Sequence, residues 1–330
     1  MTTQKIFVLG AGAWGTALAA GLVRDGKDVR LWAREKELVE PLSTGIGNPV
    51  FLKDVELPPI PTTNALEDVA SADIVLSVVP AQFTRSVLEQ IAPVLGQNVP
   101  VILCAKGIER DTLKTMAEVA AETLPNNSIG VLSGPSFARD VARGLPTAVT
   151  LAVQDPALGR RLMNELGRPD FRPYLSTDLI GAEIGGATKN VLAIACGIVD
   201  GLDLGKSAHA ALIARGFAEM TRLGVAVGGK AETLAGLCGL GDLVLTCSSP
   251  ESRNMSFGRA IGQGEPVKDI LERRNAVTEG AATAPALIKL ARDHGVEMPI
   301  CEAVSKIIDG EVNVDQASHA LLSRPYKEET

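Results

Sequence analysis

The residues Gly10-Ala11-Gly12-Ala13-Trp14-Gly15 follow the apolar run Ile6 to Leu9 and open a stretch of small residues. In a strand–turn–helix unit, the first glycine permits a tight turn and the second lets a pyrophosphate approach the backbone. The third allows the helix to pack closely on the strand. The helix N-terminus then faces the phosphate groups. The segment therefore predicts the first unit of a dinucleotide-binding fold, with cofactor candidates Gly10, Gly12, Ala13 and Gly15.

Short apolar runs alternate with helical patterns through the first half of the chain. This alternation predicts a parallel sheet that is covered by helices on both faces. The predicted strands are Ile6 to Leu9, Val29 to Trp32, Ile74 to Val79, Val101 to Cys104 and Ile129 to Leu132. Two later runs, Val149 to Val153 and Phe171 to Leu175, are candidates for edge strands.

Beyond Thr177 almost every apolar run has helical spacing. Ser176, Thr177 and Asp178 are good N-cap residues for an apolar helix that extends to about Asp200. We therefore predict an α/β protein with an N-terminal doubly wound, Rossmann-type sheet and a mainly α-helical C-terminal domain. The dinucleotide-binding domain is predicted to span residues 1–177, and the helical domain, with the substrate and catalytic residues, 178–330.

Composition limits the classes of function. The 330 residues include 32 basic and 39 acidic side chains, for a net charge of -7, which argues against a nucleic-acid partner. The longest apolar stretch, Val191 to Val199, is far shorter than the ~20 residues of a membrane span, so we expect none. The N-terminus shows no features of a secretion signal.

Cysteine and histidine usage gives no sign of a disulfide framework or a metal site. The five cysteines contain no CxxC pair, and the three histidines share no metal-ligand spacing. Buried thiols in a reducing compartment explain this pattern best, so we expect a cytoplasmic protein without metal.

The second predicted strand ends at Trp32-Ala33-Arg34, and this end bears on the choice of cofactor. In the common NAD version of the fold, an acidic residue about 20 positions after the glycines holds the ribose hydroxyls. An arginine there can pair with a 2′-phosphate and stack on adenine, so Arg34 favours NADP(H). Glu35 and Glu37 lie close by and leave NAD(H) as the alternative.

Lys189 is the strongest candidate for acid–base chemistry. Hydride transfer to a ketone builds negative charge on the carbonyl oxygen, which requires a proton donor or a fixed positive charge. The neighbours of Lys189 at three, four and seven residues are all small or apolar, among them Gly185 and Gly186. On such a face a lysine either snorkels from an interior helix or projects into a cavity where burial lowers its pKa. Spacing alone does not separate these two interpretations.

Three further groups favour the cavity. Lys106-Gly107 and Gly134-Pro135-Ser136 each follow a predicted strand, and doubly wound sheets bind ligands at the carboxyl ends of their strands. Asp242 is a carboxylate that would hold the ammonium of Lys189 in place. Ser252-Arg253-Asn254 combines a hydroxyl, a guanidinium and an amide that suit a phosphate monoester, although such a triplet alone is more often a solvated loop.

With these residues in view, the chain resembles the bacterial NAD(P)-dependent glycerol-3-phosphate dehydrogenases along essentially its full length. No member of the family's series of motifs is missing. The motifs that carry the resemblance are, in order, Gly10 to Ala19, Ala105 to Ile108, Ser133 to Ala138, Ala187 to Val191, Gly236 to Asp242, Ser252 to Asn254, and Val277 to Gly280.

The resemblance implies an enzyme that interconverts dihydroxyacetone phosphate and sn-glycerol 3-phosphate for phospholipid synthesis, as a homodimer, with Lys189 as catalytic acid and base. The implied substrate contacts are Lys106, Gly134, Ser136, Lys189, Asp242, Ser252, Arg253 and Asn254. The implied cofactor contacts are Trp14, Arg34, Lys106, Ala138, Arg253, Val277 and Glu279. Glu279 precedes a glycine and has no chemical interpretation from its local sequence.

Two other classes of protein share part of this pattern. A two-domain dehydrogenase of the β-hydroxyacid or 6-phosphogluconate type also joins a nucleotide fold to a helical domain with a lysine, but it requires a site for a carboxylate. A catalytically silent nicotinamide-binding sensor would have no use for Lys106 and Lys189 together with the Ser-Arg-Asn triplet.

Overall fold

A computed structural model describes residues 4–274, 278–326 and 328. Within this part of the chain, eight strands form one sheet in the order β3-β2-β1-β4-β5-β6-β7-β8. The strands are β1 (Lys5–Leu9), β2 (Asp28–Trp32), β3 (Thr62–Thr63), β4 (Ile74–Ser77), β5 (Val101–Leu103), β6 (Ile129–Ser133), β7 (Thr147–Val153) and β8 (Phe171–Ser176).

Helices cover both faces of this sheet, and the central strands place side chains alternately in two cores. In β1, Ile6 and Val8 belong to one core, while Phe7 and Leu9 belong to the other. The helices associated with the sheet are α1 (Ala13–Arg24), α2 (Val39–Thr44), α3 (Ala81–Ile91), α4 (Met116–Thr123), α5 (Ala138–Ala142) and α6 (Pro156–Leu166). The predicted doubly wound architecture is confirmed.

The expectation of an edge strand at Val149 to Val153 is wrong. The strand β7 lies between β6 and β8, and it runs antiparallel to β6 although the other neighbouring strands in the sheet are parallel. The segment between β6 and β7 contains only the short helix α5 and does not cross the sheet, so the chain returns along its neighbour in the opposite direction. The strand β8 takes the edge position.

The rest of the described chain is helical, as predicted. Its helices are α7 (Leu179–Gly201), α8 (Gly205–Ala226), α9 (Ala231–Leu234), α10 (Asp242–Ser248), α11 (Arg253–Gly262), α12 (Val267–Glu272), α13 (Glu279–Asp293), α14 (Pro299–Ile308) and α15 (Val314–Leu322). The N-cap of α7 is Asp178, whose carboxylate accepts from the Gly181 amide at 2.9 Å. Because β8 ends at Ser176 and α7 begins at Leu179, we propose that the domain boundary lies at residues 177/178.

The helix α7 forms the centre of the helical domain, where it packs against α8, α10, α11 and α13. The helix α7 is apolar over a longer segment than the stretch Val191 to Val199 indicated. It is long and apolar enough to cross a membrane, with a mean hydropathy of 1.3, but 94% of its most apolar part is buried inside the protein. A central core helix, like a membrane helix, is surrounded by apolar groups and therefore needs apolar residues on every side.

Glycines bring α7 and α11 unusually close together. A Cβ on Gly258 of α11 would lie 2.0 Å from the carbonyl oxygen of Ile194 in α7, and a Cβ on Gly197 of α7 would lie 2.0 Å from that of Met255 in α11. Backbone therefore meets backbone at this crossing, and the distance between the helices depends on the absence of side chains.

The two domains also share a buried hydrogen bond. Glu183 of α7 accepts from the amide of Ala117, in the first turn of α4, at 2.8 Å. Burial raises the pKa of Glu183 to about 7, although the amide of Ala117 opposes that shift. The bond links α4, which follows the loop after β5, to the central helix of the other domain.

We predict that Gly258→Ala lowers the melting temperature, because the added methyl group collides with the carbonyl of Ile194. Overpacking of this kind typically costs about 1–3 kcal/mol. The matched control is Gly159→Ala in α6, whose Cβ would lie 3.5 Å from the nearest atom of Leu175, an ordinary contact. In a helix alanine is favoured over glycine by about 1 kcal/mol, so the control should melt at the same or a higher temperature. Equal melting temperatures for both variants and the unaltered protein would contradict the packing argument.

Candidate active site

The glycine-rich turn has the geometry of a phosphate cradle. Gly10 has a φ of 110°, in a region that favours glycine, and a Cβ on Gly15 would lie 1.9 Å from the carbonyl oxygen of Gly10. Gly12 is the N-cap of α1, and a Cβ there would meet no atom within 4 Å. The turn thus leaves open space in front of a helix N-terminus, which fits the pyrophosphate of a dinucleotide.

Other cofactor candidates lie around this turn. Trp14 follows the first residue of α1, and its buried indole Nε1 has no hydrogen-bond partner among the described residues. Ala138 is the first residue of α5, which packs against α1. The side chain of Arg34 is 73% exposed, and its guanidinium pairs with Glu35 at 2.7 Å. The remaining candidate, Val277, lies outside the described residues.

Lys189 is buried rather than snorkelled to the surface. It belongs to α7, is 7% exposed, and donates to the Asp242 carboxylate at 3.0 Å and to the Thr246 hydroxyl at 2.8 Å. Gly185 lets α7 approach this region, because a Cβ there would lie 2.7 Å from the carbonyl oxygen of Cys238.

The charges around Lys189 set its proton affinity. Burial lowers the pKa of Lys189 to about 8, even though the Asp242 carboxylate opposes the shift, and the ammonium of Lys106 adds to it. Burial alone would raise the pKa of Asp242, but the two ammonium groups hold it below its usual value. At neutral pH the cluster therefore contains two ammonium ions and one carboxylate, and Lys189 can exchange a proton near physiological pH.

Lys106 reaches the same carboxylate from the other domain. Its ammonium donates to Oδ2 of Asp242 at 2.6 Å and to the carbonyl of Gly134 at 3.1 Å. Gly134 follows β6 with a φ of 150°, and a Cβ there would lie 2.9 Å from the Cα of Val149. The hydroxyl of Ser136 donates to the same carbonyl of Gly134 at 3.0 Å. The carboxyl ends of β5 and β6 thus meet the helical domain at Asp242.

In the triplet Ser252-Arg253-Asn254, Ser252 and Asn254 form hydrogen bonds within the fold, whereas Arg253 has an exposed charge. Ser252 is the N-cap of α11, and its hydroxyl accepts from the amide of Met255 at 3.2 Å. Asn254 accepts from the amide of Gly280 at 3.0 Å. The guanidinium of Arg253, by contrast, forms no hydrogen bond or ion pair with a described residue, and Arg253 is exposed at the start of α11.

Glu279 occupies a position that its local sequence did not explain. It begins α13, and its Oε2 is buried without a hydrogen-bond partner among the described residues. A Cβ on Gly107 would lie 3.3 Å from that oxygen. Burial raises the pKa of Glu279 to about 7, although Arg253 opposes the shift. A buried carboxyl group with free hydrogen-bonding capacity, beside the carboxyl end of β5, fits a polar group of a bound cofactor.

Two polar residues at this site, Asn190 and Thr246, were not predicted from the sequence. Asn190 donates to the carbonyl of Lys106 at 3.2 Å, and its own Oδ1 accepts from Asn254 at 2.9 Å. Thr246 accepts from Lys189 and donates to Asp242 at 3.1 Å. A signal for Thr246 was present, since residues four apart on one helix, here Asp242 and Thr246, are neighbours. Asn190 follows Lys189 directly, but nothing in the sequence showed that it would meet Lys106.

Comparisons with known proteins agree with this arrangement. Residues 5–159 match the family model described as NAD-dependent glycerol-3-phosphate dehydrogenase N-terminus, and residues 178–319 match the corresponding C-terminus. The chain is 58% identical over 328 residues to glycerol-3-phosphate dehydrogenase [NAD(P)+] of Maricaulis maris, with 99% of this chain and 98% of that protein covered. It is 57% identical over 330 residues to the protein of the same description from Caulobacter vibrioides, with both chains covered completely.

A solved structure shows the same fold. The crystal structure of glycerol-3-phosphate dehydrogenase from Coxiella burnetii superposes with a TM-score of 0.93 at 39% identity, and it covers 97% of this chain and 99% of that one. Both family models and the relatives together span nearly the whole chain. The chain therefore belongs to the NAD-dependent glycerol-3-phosphate dehydrogenase family.

Proposed function

We propose that this protein is an NAD(P)-dependent oxidoreductase that interconverts dihydroxyacetone phosphate and sn-glycerol 3-phosphate, and so supplies glycerophospholipid synthesis. The observation that carries the proposal is the buried cluster in which Asp242 binds Lys106 and Lys189 at 2.6 and 3.0 Å. A silent nicotinamide-binding sensor would gain nothing from holding two ammonium groups in a buried site. Family membership and the exposed Arg253 favour a phosphorylated substrate over the carboxylic acids of the β-hydroxyacid type.

Lys189 is the proposed catalytic acid and base. A bound nicotinamide ring would supply or accept the hydride. In ketone reduction the ammonium of Lys189 donates a proton to the carbonyl oxygen, and in alcohol oxidation the neutral amine accepts the hydroxyl proton. Asp242 and Thr246 hold Nζ of Lys189 in place. Lys106 supplies a second positive charge that stabilises negative charge on the oxygen as it develops.

The remaining candidates are proposed to position the substrate and the cofactor. Arg253 would bind the phosphate through its guanidinium fork, at the N-terminus of α11 that Ser252 caps. Asn190 and Asn254 connect the backbone of Lys106 to α11 and α13, and so hold the substrate-facing groups of both domains together. Gly134 and Ser136 complete the substrate side, while Trp14, Ala138, Val277 and Glu279 would contact the cofactor with the glycine turn.

Cofactor preference, oligomeric state and compartment complete the proposal. We propose that NADP(H) is preferred and that NAD(H) is also used, since the exposed guanidinium of Arg34 can reach a 2′-phosphate by leaving Glu35. The family resemblance supports a homodimer. Five free, buried cysteines among the described residues support a reducing, cytoplasmic location.

The direct test of the proposed function is an absorbance assay of reduced-cofactor oxidation. We expect turnover with dihydroxyacetone phosphate and kcat/KM for unphosphorylated dihydroxyacetone lower by at least ~100-fold, because the charge-assisted bonds to phosphate are lost. Comparable kcat/KM for the two ketones would remove phosphate recognition from the mechanism.

Lys189→Ala should leave cofactor binding intact but lower kcat by about a hundredfold to ten-thousandfold, the usual contribution of general acid–base catalysis. Lys189→Arg should restore little activity, since a guanidinium holds its proton too strongly. The matched control is Lys206→Ala at the start of α8, where the side chain is 93% exposed. Melting temperature, cofactor affinity and kcat are measured for all three variants. A folded, cofactor-binding Lys189→Ala enzyme with near-normal kcat would exclude the proposed role.

The pKa of Lys189, about 8, predicts opposite pH profiles for the two directions. Reduction requires the ammonium, so its kcat/KM should fall as the pH rises through about 8. Oxidation requires the neutral amine, so its kcat/KM should rise over the same range. Asp242→Asn removes a charge that raises the pKa of Lys189, and the break should therefore move to lower pH. Profiles that are flat between pH 7 and pH 9, roughly one unit on either side of the expected break, would contradict the assignment.

Arg34→Ala should weaken NADPH binding by about 1.5–3 kcal/mol, the worth of a hydrogen bond to a charged group, and leave NADH binding nearly unchanged. The matched control is Arg30→Ala, which removes an exposed arginine of the preceding strand β2 that pairs with Asp68 instead. Fluorescence titration with each reduced cofactor gives the two dissociation constants. Equal losses of affinity for both cofactors in Arg34→Ala would refute its assignment to the 2′-phosphate.

A further inference from the structure

A second groove, of about 650 Å³, lies outside the proposed active site. Both domains contribute to it. The loop after β5 supplies two residues, α12 and the segment after it supply two more, and α13 forms most of one wall. The lining residues are Arg110, Leu113, Leu271, Arg274, Thr278, Ala281, Ala282, Pro285, Ala286, Lys289, Ile308 and Asp309.

The groove and the active site use different faces of α13. Glu279 and Gly280 point toward the active site, where a Cβ on Gly280 would lie 2.5 Å from the carbonyl oxygen of Asn190. Ala281, Pro285 and Lys289, which are four residues apart, line the groove instead. No lining residue of the groove is a candidate catalytic, substrate or cofactor residue.

Three cations and one carboxylate line the groove, although the whole chain has a net charge of -7. The cations are Arg110, Arg274 and Lys289, and none of them forms an ion pair with a described residue. The guanidinium groups of Arg110 and Arg274 donate to neutral acceptors, namely the carbonyl of Ala282 at 3.0 Å and the carbonyl of Arg253 at 2.7 Å. The groove therefore carries an excess of positive charge, and its three cations have no ion-pair partner among the described residues.

The surroundings of Arg274 disfavour its positive charge. Burial lowers the pKa of Arg274, and the nearby charges of Arg273 and Arg253 lower it further. A guanidinium that is partly buried among other arginines, without a carboxylate in contact, is stabilised by any anion that enters the groove.

The floor between these charges is apolar. It is formed by Leu113, Leu271, Ile308 and the alanines of α13. Leu113 has a φ of 61°, a conformation that is strained for a bulky residue. The surrounding fold thus holds a leucine side chain at the groove at the expense of backbone strain.

We propose that this groove binds a soluble phosphate monoester that carries a short alkyl or acyl chain. The phosphate lies among Arg110, Arg274 and Lys289, since a doubly charged group satisfies several cations and matches the guanidinium fork. The chain lies along the apolar floor at Leu113, Leu271 and Ile308. The site does not depend on the identity of the substrate at Lys189.

The groove is joined to the active site by hydrogen bonds from arginine side chains to backbone carbonyls. Arg274 donates to the carbonyl of Arg253, the first residue of α11, and Arg110 donates to α13 three residues after Glu279. A ligand that draws these two guanidinium groups together bridges the loop of Lys106 in one domain and the helices of the other.

Isothermal titration of the full-length protein with ethyl, butyl and hexyl phosphate tests the proposal. Each added methylene should tighten binding by about two- to fourfold, as expected for partial burial of a chain that gains up to ~0.8 kcal/mol per methylene. An affinity that does not change with chain length overturns the proposal, because it shows a diffuse response to charge. Hexanoate that binds as tightly as hexyl phosphate overturns the assignment to phosphate.

A pair of charge-matched variants locates the ligand. Lys289→Gln should weaken hexyl phosphate binding about fivefold, the worth of one exposed ionic contact. Lys268→Gln removes another exposed lysine, from α12 and outside the groove, and should leave the dissociation constant unchanged. Both positions are on the surface, so both variants should fold. Equal affinities for the two variants place the ligand elsewhere and overturn the proposal.

Discussion

The carboxylate of Asp242 holds this molecule's site together. Its side chain is 2% exposed, and its two oxygens bind Lys106 from the sheet domain and Lys189 from the helical domain. A buried carboxylate without partners would be too costly to retain, and without it the buried ammonium of Lys189 and the half-buried ammonium of Lys106 would repel each other. The same three charges therefore position the domains relative to one another and set the proton affinity of Lys189 near physiological pH.

This cluster depends on how closely the surrounding backbone approaches. Gly185 lets α7 contact the segment before Asp242, and Gly197 and Gly258 let α11 lie against α7. A side chain at any of these positions would push the helices apart by more than the tolerance of a hydrogen bond. Small residues in α7 thus serve two purposes, because they make a central helix that is apolar on all sides and they bring polar groups of neighbouring helices within reach of Lys189.

Polar bonds between the domains extend this arrangement. Asn190 joins the backbone of Lys106 to Asn254, and Glu183 joins the first turn of α4 to α7. The loop that carries Lys106 therefore has bonds to the helical domain near both of its ends. The carboxyl ends of β5 and β6 lie at the same edge of the sheet as the glycine turn after β1, so the loop that carries Lys106 and the Asp242 cluster lie at the edge where doubly wound sheets bind ligands.

The sequence by itself determined the sheet-then-helix architecture, because the glycine turn and the alternation of apolar runs are local patterns that only a few folds satisfy. It also singled out Lys189, since a charge amid small residues is visible from spacing alone. Only the tertiary structure decided that β7 runs antiparallel inside the sheet, that Lys189 is buried, that Glu279 is buried without a partner for its Oε2 among the described residues, and that Asn190 bonds to Lys106. Those outcomes depend on contacts between residues far apart in the chain, and local propensity carries no information about which distant backbone or charge a side chain will meet.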